Sequence, residues 1–316
     1  MSPPPSARPV VAFVWDFDRT LIVGNQQEVL FEEYGVDTDA FWAEVEALPE
    51  YHRRLGEVVS RDTAYLLHLL AYVDAGVFPG LDNARLRELG RRLRPSPGIP
   101  EFLDVARRHL GSQPAYAAAG IAVEHYAIST GLRAIVEGSP IAPYLDGIWA
   151  NTFVEHAAPP GFIAGGGGAV GAGRILRQGY VIDNTTKTRA LFEINKGANR
   201  DPVIDVHARM PEERRRVPFR QMVYVADGPS DIPTFSLLND RGGRTLGVYQ
   251  SGPRGNLPLV EDLLEQGRVQ AIAEADFRPG RPARRWLLDA LDEIAGEIAG
   301  VRGRAAAATP PSPAGA

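Results

Sequence analysis

The sequence predicts an α/β fold, in which a doubly wound parallel sheet is covered by helices and interrupted by an all-helical insert. Three observations support this prediction. Short apolar runs that suit buried strands alternate along the chain with segments of helical periodicity. The stretch from about 25 to 94 has apolar residues at helical spacing and no convincing strand. Two of the apolar runs end in aspartates, at the edge where such sheets bind ligands.

Composition defines the class of protein before any motif is considered. The chain has 316 residues, of which 44% are hydrophobic and 23% are charged, as in a folded globular protein with one large interrupted domain or two domains. Its net charge of −5 argues against a nucleic-acid partner. The absence of cysteine excludes disulfides and thiolate chemistry. No signal peptide or membrane-spanning run is evident, so we expect a cytoplasmic protein with no membrane partner.

The first strand is predicted at Val10–Trp15, a β-branched and aromatic run that leads directly into Asp16, Phe17 and Asp18. Two carboxylates one residue apart repel each other, and their burial is costly unless a positive group lies nearby. They either end the strand in water or present their oxygens to a metal ion and a reacting group.

The helical insert is expected to occupy residues 22–94 and the core residues 9–21 and 95–301, because Pro95, Ser96, Pro97 and Gly98 break the helical pattern. Residues 1–8 and the tail 302–316, which is rich in alanine and proline, are expected to be disordered.

A second strand is predicted at 121–128, ending at Ser129, Thr130 and Gly131, and a third at 147–154. The glycine-rich segment from Gly165 to Gly173 resembles a phosphate loop only in composition, since no Gly-Lys-Ser/Thr follows it. A flexible linker is favoured there, and its role stays open.

A helix then begins near Lys187, with Thr185 or Thr186 as N-cap and Gly197 as its end. Lys187 and Lys196 are the only lysines among the 34 basic residues. Lysine and arginine are not equivalent where a compact ammonium must lie among oxygens, so the retained Lys187 is a candidate site residue. Lys196 is more typical of a favourable charge at a helix C-terminus.

The fourth strand, Met222–Ala226, repeats the pattern of the first: Asp227 follows it, and Asp231 precedes a helix. A fifth strand is predicted at 244–249, and helices near 257–266 and 282–299 end the fold.

The carboxyl ends of parallel strands meet at one edge, so this fold brings the candidate residues together. They are Asp16, Asp18, Thr130, Lys187, Asp227 and Asp231. Clustered carboxylates form a hard oxygen site that suits Mg²⁺. Asp16 would attack phosphorus, Thr130 and Lys187 would hold the phosphate oxygens, and Asp18 would transfer the proton.

The same residues resemble four ordered motifs of the haloacid dehalogenase-like hydrolase superfamily. The motifs are Asp16-Phe17-Asp18-Arg19-Thr20-Leu21, Thr130 before Gly131, Lys187 at a helix start, and Asp227-Gly228-Pro229-Ser230-Asp231. The resemblance implies a three-layer Rossmann-like core with a helical cap and an aspartyl-phosphate on Asp16. It also implies Mg²⁺ held by Asp16, Asp227 and the Asp18 backbone carbonyl, with Asp231 as an orienting residue of the metal site.

The resemblance is greatest to the phosphoserine-phosphatase-like branch, which carries a cap glutamate nine residues after the nucleophile. This sequence has Asn25 there and Glu28 three residues later, so phosphoserine itself is not implied as the substrate. Ser129 is an alternative to Thr130 as the phosphate contact. The expected function is a Mg²⁺-dependent phosphatase acting on a small phosphorylated metabolite. A phosphotransferase and a non-catalytic phospholigand-binding protein are the alternatives.

Overall fold

A computed structural model describes residues 8–165, 170–171, 173–252 and 255–308. Within these residues the core is a six-stranded sheet in which all neighbouring strands are parallel. Its strands are β1 (Val10–Trp15), β2 (Ala122–Leu132), β3 (Gly147–Asn151), β8 (Met222–Ala226), β9 (Arg244–Tyr249) and β10 (Ala271–Glu274). Their order across the sheet is β10-β9-β8-β1-β2-β3. The predicted α/β fold with a parallel sheet is therefore confirmed.

Helices cover both faces of this sheet. They are α5 (Glu101–His109), α6 (Pro114–Ala119), α7 (Arg133–Gly138), α8 (Lys187–Lys196), α9 (Ile232–Asp240), α10 (Leu257–Glu265) and α11 (Pro282–Ala308). Strand β1 lies at the centre and is buried on both faces. Phe13 and Trp15 pack with α5 and α11, whereas Val14 packs with α8 and α9 on the opposite face. This arrangement gives three layers, helix, sheet and helix.

The predicted helical insert follows β1. It contains α1 (Glu28–Tyr34), α2 (Thr38–Arg54), α3 (Ala64–Asp74) and α4 (Asn83–Gly90). Asp37 caps α2 by accepting hydrogen bonds from the backbone N–H groups of Asp39 and Ala40, at 2.9 and 3.0 Å. A β-bridge between Ile22 and Pro95 closes the base of the insert. The buried side chains of the insert continue into the core cluster that contains Phe13 and Trp15.

The region after β3 differs from its prediction. The predicted strand 147–154 is interrupted after Asn151, and the next residues form β4 (Phe153–Val154) and β5 (His156–Ala157). These pair antiparallel with β7 (Arg177–Gln178) and β6 (Val170–Gly171). Asn83 of α4 donates to the Phe153 carbonyl at 3.0 Å, so this excursion packs against the insert. Residues 166–169 and 172 of the glycine-rich segment lie outside the described residues.

Two further predictions need correction, and one strand lies outside the predictions. Strand β2 continues through Ser129, Thr130 and Gly131 to Leu132, with a register shift against β3, because the chain stays extended after Ile128. Strand β10 was not predicted, since its four residues are too few for a clear period. Helix α11 reaches Ala308, beyond the predicted start of the tail at 302, because an alanine run favours helix. Residues 1–7 and 309–316 lie outside the described residues.

Among the described helices, none combines the length and the apolar character needed to cross a bilayer.

Candidate active site

The candidate site lies where the strand order reverses. From β1 the chain first adds β2 and β3 on one side and later adds β8, β9 and β10 on the other. The ends of adjacent β1 and β8 therefore form a crevice, and Asp16 and Asp227 follow these two strands directly. The Asp16 backbone N–H donates to the Val225 carbonyl at 2.8 Å, which fixes the height of Asp16 at the sheet edge.

Lys187 joins two of the predicted carboxylates. Its Nζ lies 2.8 Å from Asp16 Oδ1 and 2.6 Å from Asp231 Oδ1. Lys187 is the first residue of α8, and its side chain is 1% exposed. Burial alone would lower the pKa of Lys187, but the charges of Asp16 and Asp231 outweigh it and raise the pKa above its ordinary value. The ammonium is therefore held charged against Asp16.

The Asp183 side chain orders the turn that leads into α8. The Asp183 carboxylate accepts hydrogen bonds from the backbone N–H groups of Thr185 and Thr186, at 2.9 and 2.7 Å. The structure places the N-cap at Thr186, one of the two positions that the sequence predicts, and the helix ends at the predicted Gly197, which is left-handed. The turn held by Asp183 fixes the start of α8, from which the Lys187 side chain reaches the carboxylates.

Asp231 is fully buried and its two oxygens are occupied by protein donors. Besides Lys187, the Tyr224 hydroxyl donates to Oδ1 at 2.5 Å and the Ser230 hydroxyl donates to Oδ2 at 2.8 Å. Tyr224 lies in β8, so Asp231 ties that strand to α8. This hydrogen bonding suits the orienting role that the sequence predicts for Asp231.

Asp227 is held from two sides. Asn256 Nδ2 donates to its backbone carbonyl at 2.7 Å and to Oδ2 at 3.1 Å, and Arg19 Nε lies 3.2 Å from Oδ2. Burial, with the nearby charge of Asp231, raises the pKa of Asp227 to about 7, although Arg19 opposes the rise.

The carboxylates form a donor set that fits a divalent cation. Oxygens of Asp16, Asp227 and Asp231 lie within 4.8 Å of one another. Burial raises the pKa of Asp16 well above its ordinary value; Lys187 opposes this rise, and the carboxylates of Asp231 and Asp227 add to it. With Asp18 included, four carboxylates lie near two cations, Lys187 and Arg19. A divalent cation would balance the remaining negative charge, and an all-oxygen set suits Mg²⁺.

Asp18 lies beside this cluster, and Gln26 binds both of its oxygens. The Gln26 backbone N–H donates to Oδ1 at 2.6 Å and its side-chain Nε2 donates to Oδ2 at 3.0 Å. Burial raises the pKa of Asp18 to about 6, and the two hydrogen bonds oppose that rise. A carboxyl group with this pKa can exchange a proton near neutral pH.

Thr130 and Ser129 are separated by the strand alternation. Thr130 lines the cavity above the carboxylates, whereas the Ser129 hydroxyl is buried and accepts a hydrogen bond from the Gly131 N–H at 2.9 Å. The Thr130 carbonyl accepts hydrogen bonds from the Tyr65 hydroxyl and from Asn151 Nδ2. This geometry favours Thr130 over Ser129 as the residue facing a ligand.

The insert and the core together line an open cavity of about 390 Å³. The part of the lining that the core supplies, here called the floor, includes Asp16, Asp18, Thr130 and Asp227. The part that the insert supplies, here called the roof, includes Trp42, Val45, Arg61, Asp62 and Tyr65. The roof therefore combines an aromatic surface with one cation and one anion.

Asn25 and Glu28 are the residues at which the sequence departs from the phosphoserine-phosphatase pattern. Asn25 lines the cavity. Glu28 instead turns back on its own segment and accepts a hydrogen bond from the Asn25 N–H at 3.2 Å. Arg53 and Arg54 both pair with Glu50 on the exposed surface of α2, so Arg61 is the insert arginine that faces the cavity.

Sequence reasoning missed three supporting residues: Gln26, Tyr224 and Asn256. Each is a buried polar residue that donates a hydrogen bond to one of the site aspartates, but none belongs to a motif. Gln26 offered one usable signal, since it is an uncharged polar residue just after the predicted strand and its motif. Tyr224 lies inside an apolar run and gives no such signal.

The strand order and the helical insert after the first motif agree with the fold that the resemblance to haloacid dehalogenase-like hydrolases implies, and the four motifs lie on their expected elements. An uncharacterised protein from Borreliella burgdorferi is 36% identical to this chain over 291 residues, which cover 89% of the chain and 96% of that protein. The chain belongs to the same family as this protein. No known family profile matches the sequence.

Solved structures with similar folds share little sequence with the chain. A HAD family hydrolase from Salmonella enterica serovar Typhi has a TM-score of 0.49 and 15% identity, covering 86% of this chain and 69% of that one. A phosphoserine phosphatase in a phospho-aspartyl intermediate analogue form has a TM-score of 0.49 and 15% identity, covering 89% and 98%. A substrate-bound phosphoserine phosphatase has a TM-score of 0.47 and 16% identity, covering 86% and 96%.

Proposed function

We propose that this protein is a Mg²⁺-dependent phosphatase that hydrolyses a small phosphorylated metabolite through a phosphoryl group carried on Asp16. The observation that carries the proposal is the contact of Lys187 with both Asp16 and Asp231, beneath a cavity that also receives Asp18 and Asp227. A binding protein for phosphate would gain nothing from a buried carboxylate pair facing the anion. A nucleophile and a proton donor, by contrast, need those groups.

In the first step an Asp16 carboxylate oxygen attacks phosphorus, and the bond between phosphorus and the ester oxygen breaks. Asp18 supplies its proton to the leaving alkoxide, and the alcohol departs. The Lys187 ammonium and the Thr130 hydroxyl hold the phosphoryl oxygens. The roof of the insert excludes bulk water while the alcohol leaves.

In the second step the ionised Asp18 takes a proton from a water molecule, whose oxygen attacks phosphorus. The bond between phosphorus and Asp16 then breaks, which releases inorganic phosphate and returns both carboxyl groups to their starting forms. A pKa of about 6 for Asp18 suits both directions of proton transfer.

Mg²⁺, bound by Asp16, Asp227 and the backbone carbonyl of Asp18 with Asp231 orienting the site, would neutralise the charge of the phosphoryl group. The chain's own contribution is to hold these oxygens together through Lys187, Asn256 and Tyr224.

The test is phosphate release from a panel of phosphomonoesters, measured with Mg²⁺ and with chelator, for the wild type and for Asp16→Asn. We expect release that requires both the metal ion and Asp16, with a loss of at least about 10⁴-fold in the variant. Asp289→Asn, on the exposed face of α11, is the matched control and should retain full activity.

The outcomes separate the alternatives from the phosphatase. Comparable release by Asp16→Asn would exclude Asp16 as the nucleophile. Consumption of the ester without free phosphate, but with a newly phosphorylated acceptor, would indicate a phosphotransferase. Binding of esters without any turnover by the folded protein would indicate a phospholigand-binding protein.

A further inference from the structure

Gln26 connects two of the site's motifs without reaching the cavity. It is fully buried, while its neighbours Asn25 and Gln27 both line the cavity. Its backbone N–H and its Nε2 hold the two oxygens of Asp18, at 2.6 and 3.0 Å. The same Nε2 lies 3.2 Å from the Ser129 hydroxyl oxygen, and Oε1 accepts from the Leu132 N–H at 2.7 Å.

Gly131 leaves the space that this amide fills. A Cβ atom on Gly131 would lie 1.9 Å from Gln26 Nε2, far closer than any van der Waals contact, and its three nearest atoms all belong to the Gln26 amide. Gly131 has no positive φ that would require glycine. A side chain at position 131 would therefore push the amide of Gln26 out of its observed position.

These contacts restrict the Asp18 carboxylate. A side chain with two rotatable bonds is fixed when both of its oxygens receive hydrogen bonds from one residue. Since Gln26 is also bonded to Leu132 and contacts Ser129, the carboxylate is held at a fixed distance from the end of β2, where Thr130 faces the cavity.

We propose that Gln26 is a positioning residue for proton transfer, which holds the Asp18 carboxylate toward the leaving group and ties it to the Ser129–Leu132 strand end. This inference rests on the proposed phosphatase function. It predicts a selective defect, because an alkoxide needs a proton to leave, whereas a nitrophenolate leaves without one.

The experiment compares the wild type with Gln26→Met, Gln26→Glu and Gly131→Ala. Gln26→Met keeps the volume and removes every side-chain hydrogen bond; Gln26→Glu keeps the acceptor for Leu132 but replaces the donor to Asp18 with a carboxylate. Gly131→Ala displaces the amide without changing its chemistry. Gln113→Met, which removes an amide bonded to Asp292 far from the site, is the matched control.

For each variant, kcat and KM are measured with p-nitrophenyl phosphate and with the best alkyl phosphate of the panel. We expect kcat/KM, which reports the steps up to departure of the alcohol, to fall at least about tenfold more for the alkyl ester than for the nitrophenyl ester in all three variants. Gln113→Met should match the wild type. Equal losses of kcat/KM for the two esters, or no loss, would overturn the proposal.

Crystal structures of Gly131→Ala and Gln26→Met provide a readout that does not depend on turnover. We expect the Asp18 carboxylate to leave its wild-type position in both variants. An unmoved carboxylate would overturn the positioning role, whether or not the wild type is a phosphatase. If the carboxylate moves in both variants but the wild type shows no turnover, the positioning by Gln26 is supported, whereas the proposed function and its proton transfer are contradicted.

Discussion

The floor and the roof of the cavity are built in opposite ways. On the floor, the Asp16 side chain is only 8% exposed, and directly beneath it Lys187 and Asp231 are 1% and 0% exposed; short hydrogen bonds join all three. On the roof, Arg61 and Asp62 are exposed and lie before α3 rather than in a packed element. If the protein has the proposed function, this difference assigns the reaction to a rigid floor and substrate choice to a roof that can vary at little cost to the fold.

The floor and the ion pairs beneath it should respond most strongly to substitution, and Lys187 is the most sensitive position. Lys187→Met leaves Asp16 and Asp231 without their shared cation, so we expect turnover to fall about 100-fold to 1000-fold. The free energy of unfolding should fall by about 3–5 kcal/mol, the usual effect of removing one partner of a buried ion pair. Phosphate-release kinetics and urea unfolding measure the two effects.

The pH dependence of that variant has a definite sign. Burial already raises the pKa of Asp16 above its ordinary value of 3.8, and loss of Lys187 removes the charge that opposes the rise. Asp16 in the folded variant then binds a proton more tightly than in the unfolded chain, so the variant's free energy of unfolding relative to that of the wild type should increase as the pH falls from 7 toward 4. A growing deficit relative to the wild type over that range would contradict the buried ion pair.

Lys187→Arg tests the inference from lysine scarcity. The guanidinium is planar and larger than the space between Asp16 and Asp231, so we expect severely impaired turnover and a destabilisation of about 1–3 kcal/mol. Lys196→Arg on the same helix is the matched control. Lys196 donates to the Val206 and Ala208 carbonyls, which an arginine can also reach, so its activity should be unchanged. Full activity of Lys187→Arg would refute the inference.

A roof substitution should change affinity more than rate. Arg61 is the cation that the insert presents to the cavity, so Arg61→Ala should raise KM about threefold to tenfold for esters whose alcohol carries a carboxylate. For p-nitrophenyl phosphate, KM should stay the same, and Arg53→Ala should change neither value because Arg53 pairs with Glu50 away from the cavity. A fall in kcat for both esters would place Arg61 in the reaction itself.

Tyr65 connects roof and floor, and its substitution should have the smallest effect. Tyr65→Phe removes the hydrogen bond to the Thr130 carbonyl and the one that the hydroxyl accepts from Asn151, but Asn151 still donates to the Thr130 carbonyl. We expect a loss of about 1 kcal/mol in stability and less than about tenfold in kcat. Thermal unfolding and steady-state kinetics are the measurements. A loss comparable to that of Lys187→Met would mean that floor and roof are not separable.

The sequence predicted the floor well because strand ends have strong signals. Apolar runs that stop at Asp16 and Asp227 determine both a strand and the direction of the next side chains. Short β10 has no such signal. The roof depends on how helices pack, and periodicity could not distinguish Arg61, which lines the cavity, from Arg53, which does not.

Gln26 and Gly131 illustrate the same limit at the level of single side chains. Their contact joins residues more than one hundred positions apart, so no local pattern contains it. Both are visible in the sequence, but only the fold brings them together.

The packing of Gln26 against Gly131 also has an evolutionary consequence. A side chain at position 131 would displace the amide of a glutamine at position 26 from its contact with Asp18. Across relatives of this chain, the two positions should therefore covary, with a larger residue at 131 accompanied by a shorter one at 26. Aligned sequences would then record the connection between the first two motifs as a pair of linked substitutions.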